Sequence, residues 1–117
     1  MITSVAFFCY PVTNIAKARE FYEAILGLKF ESDFGNDWVE YDVNGSTFAI
    51  TTMDATHIAG ARGGVVAFEV DDLDATIRDL QKNKVKFVSG PGESPVCRFA
   101  VIADPDGNEV IVHKRKP

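Results

Sequence analysis

The sequence predicts an α+β fold of two βαβββ modules, forming a cupped, mostly antiparallel mixed sheet with helices on its outer face. Three observations predict it. Apolar residues recur at helical spacing over 15–26 and 73–80, each time after a short apolar extended run. Asn44-Gly45 sits between two further extended runs, the strongest short hairpin signal. Asp104-Pro105-Asp106-Gly107 separates two more and reads as a turn, with Pro presetting one dihedral and Gly relieving strain. Each helix can cover only one face of its sheet. The other faces are expected to close on each other into a cup, where a small ligand would go.

In the first module, residues 2–10 read as a buried strand, with Val5, Phe7 and Cys9 on one face and Ala6, Phe8 and Tyr10 on the other. Pro11 ends it. Thr13 or Asn14 caps a helix whose stripe is Ile15, Ala18, Tyr22 and Ile25, widened by Phe21 and Leu26. Gly27 stops it. Residues 28–32 form a short strand. Strands 38–43 and 46–52 flank the two-residue turn, which fixes their register. Val43 then faces Ser46, Glu40 faces Ala49, and Trp38 faces Thr51.

The second module repeats the order. Residues 65–70 form a strand, and Asp71 or Asp72 caps a helix with Leu73, Ile77 and Leu80 on its inner face. Lys82, Asn83 and Lys84 close it, with Asn83 left-handed. Residues 85–88 form a strand, 89–95 a loop, and 97–103 and 109–113 the last two strands. The chain is one domain, 1–117, with module 1 at 1–52, a connector at 53–63 and module 2 at 64–117.

Composition bounds the function. The 117 residues are 46% hydrophobic and 25% charged, which excludes disordered, collagenous and disulfide-scaffold classes. No apolar run suits a bilayer span and no leader segment is expected, so no membrane partner is expected. The net charge is -5, and the only basic cluster is Lys114-Arg115-Lys116, so no nucleic acid partner is expected. Cys9 and Cys97 lie far apart in apolar runs. They read as reduced, small buried hydrophobes, which points to a cytoplasmic protein.

Val12-Thr13-Asn14-Ile15, Phe21-Tyr22 and Leu26-Gly27-Leu28 resemble the first module of the vicinal oxygen chelate superfamily. That group holds glyoxalases, bleomycin-resistance proteins and extradiol dioxygenases. Residues 65–72 resemble the strand and helix cap of its second module, without the His, and Asp104-Pro105-Asp106-Gly107-Asn108 resembles its hairpin. The resemblance spans essentially the whole chain. In metal-dependent members, His, Gln or Glu side chains converge on one divalent ion. Carried over residue by residue, those positions fall on Phe7, Ala49, Val65 and Ile111. All are apolar and none offers a lone pair. A one-residue slip at Ala49 brings Phe48 or Ile50, with the same result. No metal and no cofactor are therefore expected. The resemblance to drug-binding members implies a homodimer.

Strand alternation sets the expected ligand-binding face: Phe7, Cys9, Trp38, Glu40, Ala49, Val65, Glu69, Ile111 and His113. Phe99 and Val101 read as further lining residues. Glu40 and Glu69 read either as solvated rim groups or as recessed carboxylates with raised pKa. His113 reads either as a frayed strand-end residue or as a proton shuttle. Trp38 reads as core, as dimer interface or as a stacking group, and His57 as an exposed loop residue. No phosphate loop, dinucleotide fingerprint, zinc motif or nucleophile elbow is present in the sequence. The leading expectation is a metal-free protein that sequesters or recognises a small, partly aromatic organic ligand. The alternative is a glyoxalase-like lyase or isomerase using Glu40, Glu69 or His113 as base. A ligand-sensing domain without turnover is a third.

Overall fold

The structure, a computed structural model, describes residues 1–117 except Ile2 and Arg62. Ile2, expected in the first strand, and Arg62, expected in the connector, lie outside the described residues. The chain divides into two compact units, Met1–Ala61 and Arg62–Pro117. Each has the order βαβββ, so the predicted α+β class with two such modules is the observed one.

The first unit contains β1 (Phe8–Pro11), α1 (Ile15–Arg19) running on into a π-helical turn (Glu20–Ile25), β2 (Lys29–Phe34), β3 (Trp38–Val43) and β4 (Ser46–Thr51). The sheet order is β1-β4-β3-β2. β1 runs parallel to β4, a pairing that needs a crossover connection, and the others are antiparallel. Of the two capping candidates, Asn14 is the cap, its Oδ1 accepting the Lys17 N–H at 3.0 Å. Gly27, at φ 73°, reverses the chain after the helix. The helix buries Ala18, Phe21 and Tyr22, and the Tyr22 ring sits 5.0 Å from that of Phe48. Burying a side chain the size of Phe21 contributes roughly 1.5–3 kcal/mol. The hairpin register is the predicted one, Val43 opposite Ser46, Glu40 opposite Ala49 and Trp38 opposite Thr51.

Two strands of this unit depart from the sequence reading. The expected buried strand over 2–10 is a ladder only from Phe8 to Pro11, and Val5, Phe7 and Phe8 are exposed. The cause is the partner's length. Phe8 pairs with Phe48, and β4 begins at Ser46, so in this register residues 3–5 have nothing to pair with. β2 instead runs on to Phe34, with a bulge between Phe30 and Ser32.

The second unit contains β5 (Val66–Glu69), α2 (Leu73–Lys82), β6 (Lys86–Glu93), β7 (Cys97–Ala103) and β8 (Glu109–Arg115), in the order β5-β8-β7-β6. Asp72 caps α2, accepting the Ala75 N–H at 3.0 Å. Leu73, Ile77 and Leu80 are buried as predicted. The left-handed residue after α2 is Lys84, at φ 59°, and not Asn83. Asn83 keeps φ near -87° and donates its side-chain amide to the Asp79 carbonyl at 2.9 Å, which moves the reversal one residue on. The expected loop over 89–95 is mostly strand, since β6 continues to Glu93 through two register shifts. The Phe99 ring lies against Gly92, where a Cβ would come within 3.2 Å of it. The Gly- and Pro-rich run thus stays in the sheet as an irregular edge strand. The Asp104 turn is as predicted, with Gly107 at φ 88°. Among the described residues no helix is long and apolar enough to cross a membrane.

Candidate functional site

Ladder register sorts the first sheet into two faces. Val39, Tyr41, Phe48 and Ile50 are buried on the helix side. Cys9, Glu40 and Ala49 share the opposite face, as do Thr51, Trp38 and Phe34. On that face the Phe7 ring meets Trp38 edge-on, centroids 5.3 Å apart. Trp38 donates its indole N–H to Glu40 Oε2 at 2.9 Å. Glu40 is half-buried, so it is neither a free rim group nor a sealed one. Phe34, opposite Trp38 in the ladder, extends this aromatic face. Sequence reasoning missed it by ending the strand at Ser32. The signal was the Gly35-Asn36 pair, both at positive φ, which places the turn immediately after Phe34.

Two expected members of this face differ in exposure. Ala49 is fully buried, so it backs the face and offers a ligand no surface. Cys9 is half-buried, not buried. Burial, with a smaller contribution from the Asp54 carboxylate, pushes its thiol up to about 11. It stays protonated at neutral pH.

In the second sheet Val110, Val112, Ile102 and Ala100 are buried on the helix side. Ala67, Ile111 and Val101 line up across the other face, as do Glu69, His113 and Phe99. This resolves the alternation of β7 and puts Phe99 and Val101 on the face that carries His113 and Ile111. Val65 is exposed and precedes β5. Glu69 Oε2 accepts the Arg115 N–H at 2.7 Å, and its Oε1 lies 2.5 Å from His113 Nδ1. The Arg115 N–H first, then the His113 ring, hold this carboxyl below the usual carboxylate range. The reading of Glu69 as a recessed acid with raised pKa is therefore wrong, because the carboxylate is half-exposed and bonded in its ionised form. An ionised carboxylate only accepts, so Nδ1 of His113 carries the proton it donates. His113 is not frayed; β8 continues past it to Arg115. Glu40 belongs to the first unit and Glu69 to the second.

His57 is exposed, as expected, and its Nδ1 lies 2.7 Å from Asp54 Oδ2. Asp54 also accepts backbone N–H groups of His57 and Thr56, at 2.8 and 2.9 Å. These hold its carboxyl well below the usual range. With Thr13, Thr51 and Thr52 the pair lines a shallow cleft of about 300 Å³. Pro95, Val96, Cys97, His113, Arg115 and Lys116 line a second cleft, of about 460 Å³.

The residues at the family's metal-ligand positions do not fit a divalent ion. Phe7, Ala49, Val65 and Ile111 carry hydrocarbon side chains with no donor atom. Among the described residues no three His, Cys, Asp or Glu side chains group to replace them.

Comparison with solved structures places this geometry among known folds. An antibiotic-binding protein, TnmS3, from Streptomyces sp. CB03234 is 28% identical, with a TM-score of 0.85 over 98% of each chain. A glyoxalase/bleomycin resistance protein from Streptomyces sp. CB03234 is 28% identical, with a TM-score of 0.78, covering 97% of this chain and 100% of the other. A glyoxalase/dioxygenase from Nostoc punctiforme shares the fold at 17% identity, with a TM-score of 0.81 over 97% of this chain and 92% of the other. No curated protein matches by sequence. The profile of the glyoxalase/bleomycin resistance protein/dioxygenase superfamily matches residues 4–112, and the chain belongs to that superfamily.

Proposed function

We propose that the chain is a metal-free small-molecule binding protein that sequesters or recognises a partly aromatic organic ligand. The observation that carries this reading is the partly exposed aromatic cluster of the first sheet. Phe7 and Trp38 stand edge to face beside Phe34, and Glu40 is tethered to the Trp38 indole. Aromatic rings give a ligand large, rigid contact area, and a single fixed carboxylate orients it. Glu40 and the chain's net charge of -5 favour a ligand bearing an amine. The similarity to an antibiotic-binding protein supports the same class of ligand. On this reading the protein works in the cytoplasm, in keeping with two free cysteines, and pairs with a second copy, which would cover Val5, Phe7 and Phe34.

Titrating Trp38 fluorescence with aromatic amine antibiotics and with their N-acetylated forms tests it. Saturable quenching by the amines, with each ligand recovered unchanged, is expected. No quenching by any member overturns it. Stoichiometric zinc, nickel, iron or manganese in protein purified without chelator overturns the metal-free part. A monomer at micromolar concentration in sedimentation overturns the pairing.

A second reading is a lyase or isomerase with His113 as base. The observation favouring it is the Glu69–His113 contact, which fixes the tautomer and leaves Nε2 as a proton acceptor. Recovery of a chemically altered ligand, abolished by His113→Ala, supports this reading over the first.

A further inference from the structure

The cleft at the end of the second sheet is lined by two kinds of group. Pro95, Val96 and Cys97 give it an apolar wall, and His113, Arg115 and Lys116 give it a polar one. Its volume of about 460 Å³ suits a fragment-sized organic molecule. Its charges are not equivalent. Lys116 Nζ is paired with the Glu93 carboxylate. Glu69, whose carboxylate attracts Arg115 without pairing with it, has both oxygens engaged, one by the His113 ring and one by the Arg115 backbone N–H. The Arg115 guanidinium itself has no ion pair among the described residues. Arg98, the other arginine of these two strands, is by contrast committed to Asp74 on α2 at 2.9 Å.

We propose that this cleft binds the carboxylate of a small apolar acid, with Arg115 as the recognising residue. A guanidinium offers a planar fork of donors matching a carboxylate's two oxygens. The Arg115 fork, in no ion pair among the described residues and beside an apolar wall, is therefore complementary to a molecule with a hydrocarbon body and one carboxylate. The His113 ring, held at Nδ1 by Glu69, forms the remaining polar wall. The chain's net charge of -5 repels anions at long range, so recognition has to be local, and association is not steered. This proposal stands on the second unit alone and does not rest on the aromatic face of the first.

The test is an NMR titration of the full chain with 2-naphthoate and, separately, 2-naphthamide, following the backbone amides of Cys97 and Lys116. The acid is expected to bind about tenfold tighter than the amide, as loss of a charged hydrogen-bond partner usually costs. Arg115→Gln should erase that preference, Arg115→Lys should keep part of it, and Arg98→Gln should keep all of it. Equal affinity of acid and amide, shifts confined to residues away from Cys97 and Lys116, or a preference surviving Arg115→Gln overturns the proposal. A preference lost equally in Arg98→Gln overturns it too, since the effect is then one of net charge. Trp38 fluorescence reads the other site, so failure of one proposal is distinguishable from failure of the other.

Discussion

Trp38 and Glu40 stand on the same face of β3, two residues apart, and the indole N–H of one donates to the carboxylate of the other at 2.9 Å. The bond orients both groups on the sheet face away from the helix. Trp38→Phe keeps a ring but removes the donor, leaving a half-buried carboxylate without its partner. It should destabilise the fold by about 1 kcal/mol. Glu40→Gln keeps an acceptor for the indole and should cost under about 0.5 kcal/mol. Urea unfolding of the two variants checks the order. If Glu40→Gln proves the more costly, the charge and not the hydrogen bond holds the pair.

The hairpin turn between β3 and β4 has Asn44 at φ 51° and Gly45 at φ 92°. A Cβ at Gly45 would meet nothing within 4 Å, so any cost of adding one is backbone strain alone. Gly45→Ala should therefore destabilise by about 1–2 kcal/mol, the usual cost of a left-handed residue with a side chain. The crystal structure of the variant should show no displaced neighbour. A neutral Gly45→Ala would mean that the turn relaxes to another type.

Asp104 carries the second turn. Its Oδ1 accepts the N–H groups of Asp106 and Asn108 at 2.9 and 2.8 Å, and Oδ2 accepts from the Asn108 amide at 2.8 Å. Asp104 is only 5% exposed, so its partners have little water to turn to. Asp104→Ala should cost about 2–4 kcal/mol, and Asp104→Asn about half as much because one acceptor remains. Thermal unfolding measures both. Equal losses for the two variants would show that the charge matters more than the number of acceptors.

These two turns were legible because Asn-Gly and Asp-Pro-Asp-Gly carry their conformations in their own residues. The hairpin register followed from the turn, and the inner face of α2 from its spacing. What failed depended on partners distant in the chain. Residues 3–5 read as strand by composition, but β4 is too short to pair with them. Gly90 and Gly92 read as loop, but the Phe99 ring across the ladder makes Gly92 a packing position. In the candidate site, alternation placed Trp38 and Glu40 on one face, and Glu69 with His113. It said nothing of their hydrogen bonds, which depend on rotamers and on a parallel pairing of β5 with β8. Ala49 was assigned to the ligand face by the family resemblance and by parity, and neither accounts for what covers a small side chain.

A polar cluster ties the first helix to its sheet and should make stability depend on pH at both ends of the scale. Tyr41, fully buried, donates its hydroxyl to Glu23 Oε2 at 2.9 Å, and Arg19 pairs with Glu23. Arg19 chiefly, with Tyr41 adding to it, lowers the Glu23 pKa. That contribution is full above the ordinary Glu value of about 4.3 and is lost as pH falls through the lowered one. Glu23→Gln cannot ionise, so its deficit against the native chain should narrow as pH falls below about 4.3. Burial, then the Glu23 bond, raises the Tyr41 pKa. That contribution is full below the ordinary Tyr value of about 10 and fades above it, where the unfolded phenol ionises first. Tyr41→Phe should cost about 1–2 kcal/mol at neutral pH. Because phenylalanine does not ionise in either state, that deficit should shrink as pH rises past about 10. Urea midpoints across the range for all three chains decide the matter. Curves for Tyr41→Phe and the native chain that stay parallel through alkaline pH would mean that the phenol titrates alike folded and unfolded, and that its bond to Glu23 does not persist in solution.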